Sequence, residues 1–116
     1  MSNKKSALII SAHSADFVWW CGGAIALHQK LGYEVTIACL SYGERGESAK
    51  LWKQEGMTIE KVKLERRKEA EAAAQALNAH DIQFFDFGDY PLEINTDGKY
   101  QIVDLIRAVQ PDFMMS

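Results

Sequence analysis

Proline and cysteine are scarce in this chain, with 2 of each among 116 residues. Together with only 8 glycines, that excludes a collagen-like or proline-rich extended chain. The two cysteines, Cys21 and Cys39, form no CxxC pair and no disulfide framework. They read as reduced thiols in a cytoplasmic protein. A dominant sign of charge is also lacking: 13 Lys and Arg face 16 Asp and Glu, for a net charge of −3. A general nucleic-acid or anionic-membrane binder is therefore not expected. No apolar run approaches the roughly 18 residues of a membrane span. Residues 1–5 make a charged start, but the apolar stretch at 7–12 is too short for a signal-peptide core. Neither GxGxxG nor GxxxxGK[ST] occurs, so a phosphate cradle has little support. What is present is an ordinary globular composition, 47% hydrophobic and 25% charged. The length suits one core and leaves little room for two domains.

The pattern along the chain alternates strand and helix. Residues 6–12 form a short continuous apolar run, as expected of a strand buried on both faces. Residues 17–31 read as a helix that is apolar nearly all round, ended by Gly32. Residues 34–40 are a second buried strand, which implies a right-handed crossover. A long polar connection spans residues 41–56, and a long helix runs from about Met57 or Thr58 to Leu77. A third strand is predicted at 83–87, a loop at 88–98, a helix at 100–109 and a fourth strand from Pro111. This order predicts an α/β layered fold with a mostly parallel sheet. In such folds chemistry gathers in loops after the carboxyl ends of strands. Residues 12–16, 41–56 and 86–95 should therefore open on one edge.

Those loops hold the residues with chemical capacity. His13 and Asp16, three apart on a strand-to-helix turn, can point at one ion, and both are good zinc ligands. The same residues also fit a helix cap beside an incidental loop histidine. Glu44, Arg45 and Glu47 flank Gly46, and Glu47 suits a general acid or base as readily as a solvated loop. On the long helix, Ile59, Val62, Ala70, Ala73 and Leu77 make an apolar stripe that carries Arg66 and Glu69 on or beside it. Arg66 can pair with Glu69 or reach the loops to hold a substrate carboxylate. Asp86 and Asp89 offer polar contacts to a site or organise a turn. His28 and His80 fall away from the active edge and read as surface residues.

Taken in order, several elements resemble the LmbE/PIG-L family of zinc-dependent deacetylases. They are Ala12, His13 and Asp16; Gly22 and Gly23; Gly32, Val35 and Thr36; Gly43, Glu44, Gly46 and Glu47; and Arg66, Glu69, Ala73 and Leu77. The resemblance implies a Rossmann-like three-layer α/β fold and one zinc ion. The family's first motif typically reads Ala-His-Pro-Asp-Asp-Glu, in which the His and second Asp bind zinc and the first Asp activates the attacking water. Carried over, His13 and Asp16 take the ligand positions. Ala15 stands where the general base belongs, Ser14 replaces the Pro and Phe17 the Glu. Alanine cannot accept a proton.

Residues 11–19, 41–53 and 86–91 are similar to one branch of the family, the bacterial 4-oxalomesaconate hydratases of gallate and protocatechuate degradation. Those enzymes keep the fold and the zinc but add water to a carbon–carbon double bond. For this chain the resemblance implies a small anionic oxo-tricarboxylate as substrate. It implies Glu47 as acid or base, with Arg66, Arg45 and Asp89 on the substrate. The alternatives are an N-deacetylase and a non-catalytic family remnant. The family's third zinc ligand is a His beyond the fourth strand, so it is expected past Ser116. Residues 1–116 would then be the front portion of one longer domain. Family members often self-associate, so the resemblance leaves a homo-oligomer open, and the sequence does not determine the oligomeric state.

Overall fold

Two short apolar runs organise the sheet. β1 (Ser6–Ser11) and β2 (Glu34–Cys39) lie parallel, with Ser6 opposite Glu34 and Ser11 opposite Cys39. Both are buried almost throughout because helices cover both faces, as expected for unbroken apolar strands. β3 (Asp81–Phe84) adds to β2, and β4 (Phe113–Met115) adds to the far side of β1, giving a parallel sheet of order β3-β2-β1-β4. These strands belong to a computed structural model that describes residues 4–116, so the first part of the charged start, Met1 to Asn3, lies outside the described residues.

The helices make the outer layers. α1 (Asp16–Lys30) and α3 (Ile59–Ala76) share one face, where Phe17, Cys21, Ile25, Ala70 and Ala74 pack on Ala7, Ile9, Val35 and Ile37. α4 (Thr96–Val109) covers the other face, with Leu105, Ile106 and Val109 against Leu8 and Ala38. The helical layer therefore changes side between β1 and β4. That is a topological switch point, and the crevice outside the strand ends there is where such folds bind ligands. Among the described residues no helix is long and apolar enough to cross a membrane.

Several sequence expectations are corrected in detail. α1 is not buried all round: Phe17, Cys21 and Ile25 face inward at spacings of four, while Trp19 and Trp20 are 82% and 79% exposed. One helix face is all a single sheet can cover. The polar connection after β2 contains a short helix, α2 (Ala49–Trp52). α4 begins at Thr96, earlier than expected, because the Asn95 side chain caps it by accepting from the Gly98 amide at 2.8 Å. β3 ends early at Phe84, although the Phe85 and Phe87 amides still donate to the carbonyls of Cys39 and Leu40. Asp86, at φ 54, interrupts the regular ladder between them. His28 is half-buried rather than on the surface; its ring lies 4.8 Å from that of Tyr33 and 4.7 Å from that of Phe113. His80 is exposed, as expected.

Ile37 is fully buried at the middle of β2 and touches the layer built by α1 and α3. Ile37→Ala should cost about 2–5 kcal/mol through lost burial and the cavity left behind. Urea unfolding measures it, and a loss below ~1 kcal/mol would contradict this packing.

Candidate metal centre

His13 follows β1 directly, in the turn that leads into α1. Ser11 fixes that turn: its hydroxyl donates to the His13 carbonyl at 2.6 Å and accepts from the Phe17 amide at 3.1 Å. Asp16 is the first residue of α1, where the helix N-terminus favours a negative charge. Its Oδ2 accepts from the His13 backbone amide at 3.1 Å and lies 3.2 Å from His13 Nδ1. The spacing of three residues thus brings imidazole and carboxylate together locally.

The loop after β2 supplies the next group. The Ser41 amide and hydroxyl both donate to the Ala12 carbonyl at 3.0 Å, which holds this loop beside the first. Gly43 turns the chain at φ +66, and the Ser48 hydroxyl and Glu47 amide both donate to its carbonyl. The indole of Trp52 donates to the Glu44 carbonyl at 2.6 Å. Glu44 itself is only 2% exposed and accepts from the Tyr42 amide, so this charged residue belongs to the loop's interior. These constraints bring Glu47 Oε1 to 3.4 Å from His13 Nδ1.

The loop after β3 closes the arrangement. Asp89 is 6% exposed, and its Oδ2 accepts from the amides of Gly46 at 2.7 Å and Arg45 at 2.8 Å. Its Oδ1 lies 3.1 Å from His13 Nε2. Burial on its own would raise the Asp89 pKa. The Gly46 and Arg45 amides and the nearby His13 outweigh it and hold the carboxyl below its usual value. All three loops therefore meet on His13, at the one edge where the sequence expected them to open.

Arg66 joins from α3. Its guanidinium lies 3.0 Å from Glu69, 4.0 Å from Glu47 Oε2 and 3.4 Å from the Tyr42 carbonyl. Of the two readings that the sequence left open, Arg66 does pair with Glu69, and its guanidinium also lies beside Glu47. Its side chain is 15% exposed, whereas that of Glu69 is 57% exposed and sits outside the packed stripe. Glu47, Arg66 and Glu69 share the wall of a cleft of about 490 Å³. Arg45 is exposed, with its backbone rather than its side chain tied to Asp89.

Three carboxylates, from Asp16, Glu47 and Asp89, thus crowd one imidazole. Even with that imidazole protonated and Arg66 counted, negative charge is in excess. His13, Asp16 and Glu47 each offer one donor atom within 4.8 Å of the others. One nitrogen and two carboxylate oxygens are a donor set that suits zinc. Neither cysteine competes. Cys21 and Cys39 are buried free thiols, and burial pushes Cys39 up to about 12, so it stays a neutral thiol.

Sequence reasoning brought together His13, Asp16, Glu47 and Arg66, all of which meet here. It set Asp89 toward a substrate, yet both Asp89 oxygens are already engaged with the protein. It gave Glu44 no place in the interior. A single Asp or Glu in a polar loop carries no signal of its burial until the partner amides are known.

Residues 8–116 match the PIG-L family, described as GlcNAc-PI de-N-acetylase. The chain is 57% identical over 113 residues to the 4-oxalmesaconate hydratase of Pseudomonas putida KT2440, covering 97% of this chain and 43% of that protein. Its fold matches the crystal structure of GalB, the 4-carboxy-2-hydroxymuconate hydratase of the same organism. The TM-score is 0.94 at 57% identity, over 97% of this chain and 46% of the other. The N,N'-diacetylchitobiose deacetylase of Pyrococcus horikoshii matches with a TM-score of 0.83 at 27% identity, over 97% of this chain and 40% of the other. The chain thus spans less than half the length of these relatives.

A side chain at Gly43 would be strained by the positive φ, and its Cβ would sit 3.1 Å from Glu47 Oε2 and 3.2 Å from Glu47 Cβ. Gly43→Ala should therefore cost about 1–2 kcal/mol from the left-handed backbone alone. Thermal or urea unfolding reads the loss. A variant as stable as the parent would mean that the loop does not hold this turn.

Proposed function

The chain belongs to the PIG-L family, and from that premise we propose that it serves a zinc-dependent hydratase that adds water to the C=C bond of a small oxo-tricarboxylate such as 4-oxalomesaconate. One observation carries the reading: His13 and Asp16, a zinc-type ligand pair with Glu47 close by, stand beside Ala15, in a chain 57% identical to a named hydratase. A deacetylase of the usual family pattern needs a carboxylate at position 15 to activate water, and a methyl group cannot accept a proton. The names of the two hydratases describe the oxo and the hydroxy-diene forms of one tricarboxylate skeleton. That agreement supports the substrate class.

In this reading His13 and Asp16 hold the metal. When bound, zinc supplies a Lewis acid that draws electron density from the substrate's oxo and carboxylate oxygens. Glu47 moves the proton. It is the most exposed of the three donors, at 38% for the side chain, and it borders the cleft rather than the helix turn. Conjugate addition of water needs a base to take a proton from the attacking oxygen and an acid to return one to carbon. A carboxylate held at one edge of the cleft can do either in turn. Arg66, 4.0 Å from Glu47, presents a planar cation to a substrate carboxylate. Arg45, exposed on the neighbouring loop, offers a second cation to the same polyanion. Buried free thiols at Cys21 and Cys39 suit the reducing cytoplasm.

Two measurements test these roles. His13→Ala should lose stoichiometric zinc, and full retention would remove His13 from the ligand set. Glu47→Ala should keep its zinc while hydration, followed as loss of the alkene's ultraviolet absorbance, falls by about 10²–10⁴-fold. Zinc loss in that variant would instead make Glu47 a ligand. Acetate release from an N-acetylated sugar, without alkene hydration, would support the deacetylase.

A further inference from the structure

Asp89 is too enclosed to meet a substrate and too well connected to be a turn residue alone. It is 6% exposed, and each of its oxygens has a separate task. Oδ2 takes two backbone donors, the amides of Arg45 and Gly46 at 2.8 and 2.7 Å. Oδ1 faces His13 Nε2 at 3.1 Å. A backbone amide can only donate, so Oδ2 is committed as an acceptor. An ionised carboxylate is acceptor-only, so Oδ1 needs a proton from its partner. His13 Nε2 must therefore carry hydrogen, since two acceptors in contact at a buried position would repel.

The consequence falls on the other ring nitrogen. A neutral imidazole has one N–H, and with it on Nε2 the lone pair is on Nδ1. Nδ1 is the atom that lies 3.2 Å from Asp16 Oδ2 and 3.4 Å from Glu47 Oε1. We propose that Asp89 is a positioning residue: its buried carboxylate, anchored on the Arg45 and Gly46 amides, fixes His13 as the Nε2–H tautomer and so aims the Nδ1 lone pair at the metal between Asp16 and Glu47. A metal-ligating histidine commonly donates its other N–H in this way, which sets both its orientation and its basicity. Here the same carboxylate ties the third loop to the second, so ligand orientation and loop closure depend on one group.

The inference rests on the metal centre proposed above and is independent of the hydration reaction. It makes a sharp statement about Asp89→Asn, which changes no volume. The Arg45 and Gly46 amides still require an acceptor, so the new carbonyl oxygen takes the place of Oδ2. The amide NH2 then falls on the place of Oδ1 and donates to Nε2. The imidazole proton must move to Nδ1, where it occupies the direction the metal needs.

The experiment has two readouts, neither of which is enzymatic activity. Zinc affinity, measured by chelator competition, should weaken about 10–100-fold in Asp89→Asn. Long-range 15N–1H spectra should show His13 protonated on Nε2 in the zinc-loaded wild type, and on Nδ1 in the neutral imidazole of the metal-free variant. A purely structural Asp89 would lower the melting temperature and leave the ligating nitrogen unchanged. If the variant does not fold, the zinc-loaded wild type decides alone: ligation through Nδ1 supports the proposal and ligation through Nε2 overturns it. Unchanged zinc affinity in a folded Asp89→Asn overturns it while leaving the metal centre standing. A full-length wild-type protein, with the third ligand expected past Ser116, that takes up no zinc overturns both.

Discussion

The edge where the three connections meet is organised by one crowded imidazole. His13 has carboxylates on both ring nitrogens, Asp16 and Glu47 at Nδ1 and Asp89 at Nε2. Asp16 opens α1 after the turn that carries His13, while Glu47 and Asp89 come from the loops after β2 and β3, so the contacts on one side chain define where three connections meet. Left to themselves, carboxylates at this separation repel, and the positive charge at hand in His13 and Arg66 does not balance them. A divalent cation at Nδ1 removes that conflict, which is why the geometry makes most sense as a metal site. Asp89 escapes the conflict differently, through two backbone amides that hold its charge from the other side.

The fold explains why these loops can converge. β1 lies in the interior of the sheet, between β2 and β4, and the covering helices change face at the β1–β4 boundary. A residue just after β1 therefore opens into the crevice, and the loops after β2 and β3 lean towards it from one side. The ladder even continues past the strands, with the Ser41 amide on the Ala12 carbonyl and the Phe87 amide on the Leu40 carbonyl. Arg66 reaches the same crevice because α3 packs on that face and presents it one turn before the buried Ala70.

Much of this was legible in the sequence because it depends on local pattern. The apolar runs of β1 and β2 have only one comfortable environment, and Gly32, at φ 87, ends α1 where expected. His13 and Asp16 were legible because three residues across a turn fix their separation. What escaped notice depends on long-range partners. Asp89, set toward a substrate or a turn in the sequence, shows its actual contacts only once the Arg45 and Gly46 amides, more than forty positions away, are found against it. Residues 17–31 read as a helix apolar nearly all round, yet a helix on one sheet buries one stripe and leaves Trp19 and Trp20 exposed. The start of α4 was a missed signal, since Asn95 is a good cap.

The chemistry of this edge turns on whether the His13 cluster holds a metal, with Nδ1 as its nitrogen donor. Anomalous diffraction at the zinc edge, from crystals of the zinc-treated protein, tests it most directly. One strong peak is expected, at about 2.0–2.2 Å from His13 Nδ1 and an Asp16 oxygen. Density that leaves Nδ1 hydrogen-bonded to Asp16, with the zinc peak absent or lying elsewhere on the molecule, would contradict it.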